Sequence, residues 1–173
     1  EVNTLLALNI SNKILIISSL ILFYLLPFIF SKSINLSLSI EKAQLNYVFV
    51  STLAFIICIF FFNYQNDFTG GGIFFKISKF LFKNNILFFF ISGVSIFIIY
   101  KIFNNSKLNF LIIFLLLLNN PQLTIYHKYY DPFLLILFLT LFEINFKKEN
   151  LFSKKNIYIF YLFSLFFLTL SIS

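Results

Sequence analysis

Long apolar runs separated by short polar punctuation make up most of this chain. A helix that crosses a bilayer needs roughly 20 mostly apolar residues. The runs Ile14–Phe30, Leu45–Tyr64, Ile86–Phe103, Pro132–Phe146 and Ile157–Ile172 are read as such spans. Leu108–Leu118 holds only eleven residues before "NNP". It either continues through Pro121 to Tyr126 as a kinked helix or stops as a half-helix. Within the third run, Ser92, Gly93 and Ser95 form a small-residue face suited to close helix packing. The expected architecture is therefore all-α: a polytopic transmembrane helical bundle of about six spans, forming a single transmembrane domain over residues 1–173.

One stretch has a different period. In "TGGGIFFKISKFLFK", Ile73, Ile77, Phe80 and Leu81 recur at helical spacing, and Lys76, Lys79 and Lys83 do so on another face. This segment is too short and too charged to span. It is expected to lie in the membrane interface, with Phe among acyl chains and Lys near phosphate.

Composition supports the membrane class. The chain is 60% hydrophobic and 11% charged, with mean hydropathy +0.95, whereas soluble domains run about 25% charged. Its 29 Phe cannot all be buried in one soluble core of 173 residues. There is no Met, and "EVNTLLALNI" lacks the charged start of a signal peptide, so the expectation is a C-terminal part of a longer protein. All 13 basic residues are Lys. With abundant Phe, Ile and Asn, this fits an AT-rich bacterial coding bias, and hence a multi-pass protein of a bacterial inner membrane. The single Cys58 has neither a disulfide partner nor a metal-ligand neighbour in sequence and is read as packed or lipid-facing.

Lysine asymmetry orients the spans. The loops after spans one, three and five hold eight lysines: Lys32, Lys42, Lys101, Lys107, Lys147, Lys148, Lys154 and Lys155. The opposite side holds five: Lys13, Lys76, Lys79, Lys83 and Lys128. The first set is assigned to the cytoplasm. The net charge of +7 is thus read as loop retention, and no nucleic-acid partner is expected.

The candidate chemistry gathers on the other face. "NYQNDFTGGG" and "NNPQLTIYHKYYDP" share it whichever way the chain inserts. Together they hold both aspartates, Asp67 and Asp131, three of the four glycines and the sole His127. Gly70, Gly71 and Gly72 before a helix allow close backbone approach and offer N–H groups to an anion; the alternative is a flexible turn into the interfacial helix. His127, Lys128 and Asp131 suit phosphate binding, proton relay or a sugar hydroxyl, and Tyr126, Tyr129 and Tyr130 suit stacking on a sugar. The alternative is an aromatic belt with Asp131–Pro132 starting a helix. Asp67 is added to the substrate-binding candidates. Glu143 is expected to pair with Lys147 one turn later. No P-loop, dinucleotide fingerprint, metal-ligand spacing or hydrolytic triad is present, and no metal or cofactor is expected.

"KFLFKNNILFFFISGVSIFIIYKI" and "IYHKYYDPF" resemble segments of the GT-C class of polytopic, lipid-donor glycosyltransferases, in particular the dolichyl-phosphate-glucose-dependent alpha-1,2-glucosyltransferases. The resemblance covers roughly Leu45 to Phe146; the acidic motif of the first external loop is missing. It implies sugar transfer from a polyprenyl-phosphate donor at the outer face, with the catalytic base upstream of Glu1. His127 and Lys128 would contact donor phosphate, Tyr129, Tyr130 and Asp131 would line the sugar pocket, and Gly70–Gly72 with Lys76 would hold the lipid phosphate. Membrane lipids and a polyprenyl-phosphate-linked sugar are the implied partners. A transporter or flippase with its fourth helix broken at Asn119–Pro121, or a non-catalytic membrane subunit, are the alternatives.

Overall fold

A computed structural model describes residues 2–34, 36, 45–64, 70–103, 106–118, 125, 130, 133–151 and 153–172. The fold is all-α, with seven helices and a single helical turn among the described residues: α1 Val2–Phe30, α2 Leu45–Phe60, α3 Gly72–Phe82, α4 Ile86–Phe103, α5 Lys107–Leu118, α6 Phe133–Thr140, the turn α7 Lys148–Leu151, and α8 Lys154–Ile172.

α1 is the axis of the bundle. Every described side chain from Leu15 to Leu25 is buried, and α2, α3, α4, α5, α6 and α8 all pack on it. Its in-chain serines are neutralised locally: Ser18 and Ser19 donate to the carbonyls of Leu15 and Ile16 at 3.0 and 2.7 Å, which removes the cost of burying a hydroxyl in an apolar core. α4 lies closest. The expected small-residue face carries the contact: Ser92 and Ser95 are fully buried, Ser92 donates to the Leu15 carbonyl at 3.2 Å, and a Cβ at Gly93 would sit 3.0 Å from the Phe55 ring of α2.

The expectation of six spans is corrected. Among the described residues, two helices are long and apolar enough to cross a membrane: Ile10–Phe30 within α1, and α4. The first is 78% buried and the second 33%, so the first is sheathed by the bundle while the second is only partly covered, with Ile86, Phe90 and Val94 exposed. Three other runs fall short. At 1.5 Å per residue, the 16 residues of α2, 12 of α5 and 8 of α6 reach about 24, 18 and 12 Å, against a hydrocarbon core of about 30 Å.

Distant asparagines hold the chain beyond two of these helices. Beyond α2, the Asn63 N–H is taken by Asn12 Oδ1 of α1 at 3.0 Å. Beyond α6, fully buried Asn109 receives the Glu143 N–H on Oδ1 at 2.9 Å and donates from Nδ2 to the Glu143 carbonyl at 3.2 Å. This pairing draws 143–147 out of helical form and leads it past the end of α1, where Ile34 and Phe146 form an antiparallel bridge and the Lys147 N–H meets the Ser33 carbonyl at 2.8 Å. Glu143 therefore shares no helix with Lys147, and the expected i,i+4 pair is absent. Cys58 is buried, near the Ser11 hydroxyl of α1.

These contacts define two ends. One gathers Asn12, Asn63, Gly70–Gly72 and the α3–α4 corner; the other gathers Ser33, Asn109, Glu143 and Asn156. Exposed Lys76 and Lys83 belong to the α3–α4 corner at the first end, and exposed Lys32, Lys147, Lys154 and Lys155 lie on the segments around Ser33 and Asn156 at the second. Which end faces the cytoplasm is part of the proposal below.

Candidate functional site

The site is built where α2 ends and α3 begins. After Phe60 the chain turns inward, and Tyr64 is buried. Its ring meets Phe75 edge-on at 5.3 Å, and Phe75 in turn meets Phe88 at 5.4 Å and Phe62 at 6.1 Å. The two edge-to-face pairs, Tyr64–Phe75 and Phe75–Phe88, are each worth about 1 kcal/mol beyond their buried area, while Phe62 packs at a tilt. The aromatic group fixes the Tyr64 hydroxyl, which accepts the Ile125 N–H at 3.3 Å. The Ile125 carbonyl accepts the Gly71 N–H at 2.9 Å. Ile125 is fully buried with both of its backbone groups held, as a buried backbone requires.

The glycines make this approach feasible. Gly70, Gly71 and Gly72 have φ of +87°, +79° and +77°, in the region that side chains disfavour. A Cβ at Gly70 would run into the Tyr64 hydroxyl and lie 2.9 Å from the Ile125 carbonyl oxygen. At Gly72 it would lie 3.1 Å from Leu20 of α1. The triplet thus lets one turn touch α1 on one side and the chain at Ile125 on the other.

Two of the sequence-predicted regions are brought together: the glycine turn is hydrogen-bonded to Ile125, two positions before His127 in the chain. His127, Lys128, Tyr129, Asp131 and Asp67 lie outside the described residues. Tyr130 is buried, and its carbonyl accepts the Leu134 N–H at 2.8 Å, starting α6. Gly70–Gly72 are buried, and the Gly71 N–H is spent on Ile125, so it is not an open anion donor. Lys76 is exposed, one turn into α3. Among the described residues, no three His, Cys, Asp or Glu side chains converge as a metal site would need.

Sequence reasoning missed four participants. Tyr64 was read as the end of a span, and Ile125 as part of a loop. Asn12 and Lys13 interrupt the apolar α1, and that interruption, "SNK", was the available signal. Lys13 is 6% exposed. It shares a helix face with Ile16 and Leu20, the two side chains of α1 against which a Cβ at Gly72 would lie.

Comparison with protein-family models, with curated proteins and with solved structures gave no match.

Proposed function

We propose that this chain is a membrane-embedded helical unit that handles a lipid-linked phosphate at the end marked by Lys13, Tyr64, Gly70–Gly72 and Ile125. The chemistry proposed is transfer of a sugar from a polyprenyl-phosphate donor, as in the glycosyltransferase class the sequence resembles. That end faces outward, and the end carrying Ser33 and Lys147 faces the cytoplasm. The observation that carries the reading is the Gly71 N–H to Ile125 carbonyl bond at 2.9 Å. It ties the glycine turn to the chain immediately before His127 and Lys128. Because the Gly71 amide is occupied, charge on the donor falls to Lys128, His127 and Lys76, while the glycines provide the close approach. Ionisable side chains buried at membrane depth are functional candidates by default, and Lys13 joins this group.

The test uses the full-length protein in detergent or nanodiscs, with polyprenyl phosphate and a polyprenyl-phosphate sugar as probes. His127→Ala with Lys128→Ala is expected to weaken polyprenyl-phosphate binding and transfer at least tenfold. Normal transfer together with normal donor binding would remove the reading. A transporter or flippase is the second reading, and buried Lys13 inside a span-length helix favours it. Under that reading, Lys13→Gln abolishes movement of the lipid-linked substrate between leaflets and the protein transfers no sugar.

A further inference from the structure

We propose that the corner between α3 and α4 is a docking surface for anionic phospholipid headgroups. The single apolar face expected for α3 is divided in the structure. Ile73, Phe75 and Ser78 turn into the core, whereas Phe80, Leu81 and Phe82 are exposed. Three consecutive helical positions fan over about 200° of the circumference, so no single neighbouring helix can cover them. Phe80, at 86%, is more exposed than any other large hydrophobic residue described. On the first turns of α4, Ile86 and Phe90 are exposed as well.

The projecting tip is rigidly held. The Ser78 hydroxyl donates to the Asn84 carbonyl at 2.8 Å and accepts the Phe88 N–H at 3.1 Å. Lys83 closes α3 in the left-handed conformation, φ +54°, with its N–H on the Lys79 carbonyl at 3.0 Å. Asn84 Oδ1 accepts the Ile86 N–H at 3.1 Å and starts α4. Four bonds thus fix a three-residue corner, Lys83–Asn85, so the backbone that presents the three apolar side chains needs no ordering on binding.

The charge around the tip selects the occupant. Lys76 and Lys83 are exposed beside it, and the Lys79 ammonium lies 5.7 Å over the Phe75 ring. Among the described residues the two acidic side chains, Glu143 and Glu149, belong to the opposite end of the bundle. An occupant must therefore accept large apolar side chains and also offer negative charge. The boundary between headgroups and acyl chains of an anionic leaflet meets both needs at one depth.

The inference rests on membrane embedding but not on sugar transfer. Its test is a full-length protein carrying Leu81→Cys in a Cys58→Ala background, labelled with an environment-sensitive dye. The protein is placed in nanodiscs of phosphatidylcholine with increasing phosphatidylglycerol, each containing lipid spin-labelled near the headgroup. Quenching of the dye is expected to rise with phosphatidylglycerol and to fall with added salt. Lys76→Gln or Lys83→Gln alone should raise the phosphatidylglycerol fraction needed for half-maximal quenching about fivefold, and the pair together about 25-fold. Both lysines are exposed, so an unchanged unfolding temperature confirms that these variants fold. Equal quenching in pure phosphatidylcholine overturns the charge requirement and the proposal with it. Absence of quenching in every membrane shows that protein, such as a second copy, covers the tip, and overturns it as well. A normal phosphatidylglycerol response in a protein that transfers no sugar would sink the transferase reading and leave this one standing.

Discussion

Asparagine is the residue that closes this fold. Asn12 holds the chain after α2, Asn109 holds the chain after α6, and Asn156 and Asn150 donate to the carbonyls of Ser31 and Lys32 at the end of α1, at 3.0 and 2.8 Å. An amide offers donor and acceptor together, so one side chain can satisfy both backbone groups of a residue forced out of a helix, as Asn109 does for Glu143. Removing it leaves the part-buried N–H and C=O of Glu143 without this partner, at the lower end of roughly 1–3 kcal/mol each. Asn109→Ala is therefore expected to destabilise the protein by about 2 kcal/mol, read as a lowered thermal midpoint in detergent; a midpoint unchanged from wild type would show that water replaces the amide. The second residue-scale prediction concerns Gly70. Its positive φ and its closeness to the Ile125 carbonyl leave no room for a methyl group. Gly70→Ala should cost about 1–3 kcal/mol and release the Ile125 amide to fast hydrogen exchange. Persistent protection of that amide would contradict the role assigned to the turn.

At the scale of elements, α4 shows what local pattern can reveal. Its bounds, Ile86–Phe103, coincide with the apolar run, and its Ser92–Gly93–Ser95 face packs as small residues predict. Gly93→Leu should push Phe55 and α2 away from α4 and cost about 1–3 kcal/mol by overpacking. Val94→Leu, on the exposed side, should leave the thermal midpoint within error, and equal losses for the two variants would deny the α2–α4 contact. α6 shows the opposite case. Beyond Thr140 the chain is held by Asn109, 34 positions before the residue it pairs with. Beyond Phe60 it is held by Asn12, 51 positions before Asn63. The presence of the apolar helices and of the short charged α3 was legible from the periodicity of the runs. The helix lengths were not, since long-range contacts leave no local trace, and asparagines read as coding bias turned out to hold the chain beyond α2 and α6. The Gly triplet was visible as a turn, but its partner Ile125 is an apolar residue with no chemical signal of its own.

Across the whole molecule, lysines and polar links gather at two ends with the apolar helices between them. If the bundle is embedded as proposed, the two ends meet water on opposite sides. In a Cys58→Ala background, Lys83→Cys and Lys147→Cys should react with a membrane-impermeant maleimide from opposite faces of sealed vesicles; labelling of both from one face would refute the embedding. The central position of α1 has a further implication, for biogenesis. Among the described helices α1 leaves the ribosome first, yet in the finished protein it is the one most thoroughly wrapped by the others. Its hydroxyls at Ser18 and Ser19 are satisfied within the helix from the outset. The Asn12 amide must wait until Asn63, more than fifty residues later, has been synthesised. During that interval "SNK" is a polar notch on an otherwise greasy rod, which makes translation between α1 and Asn63 the period in which the nascent chain most needs a substitute neighbour.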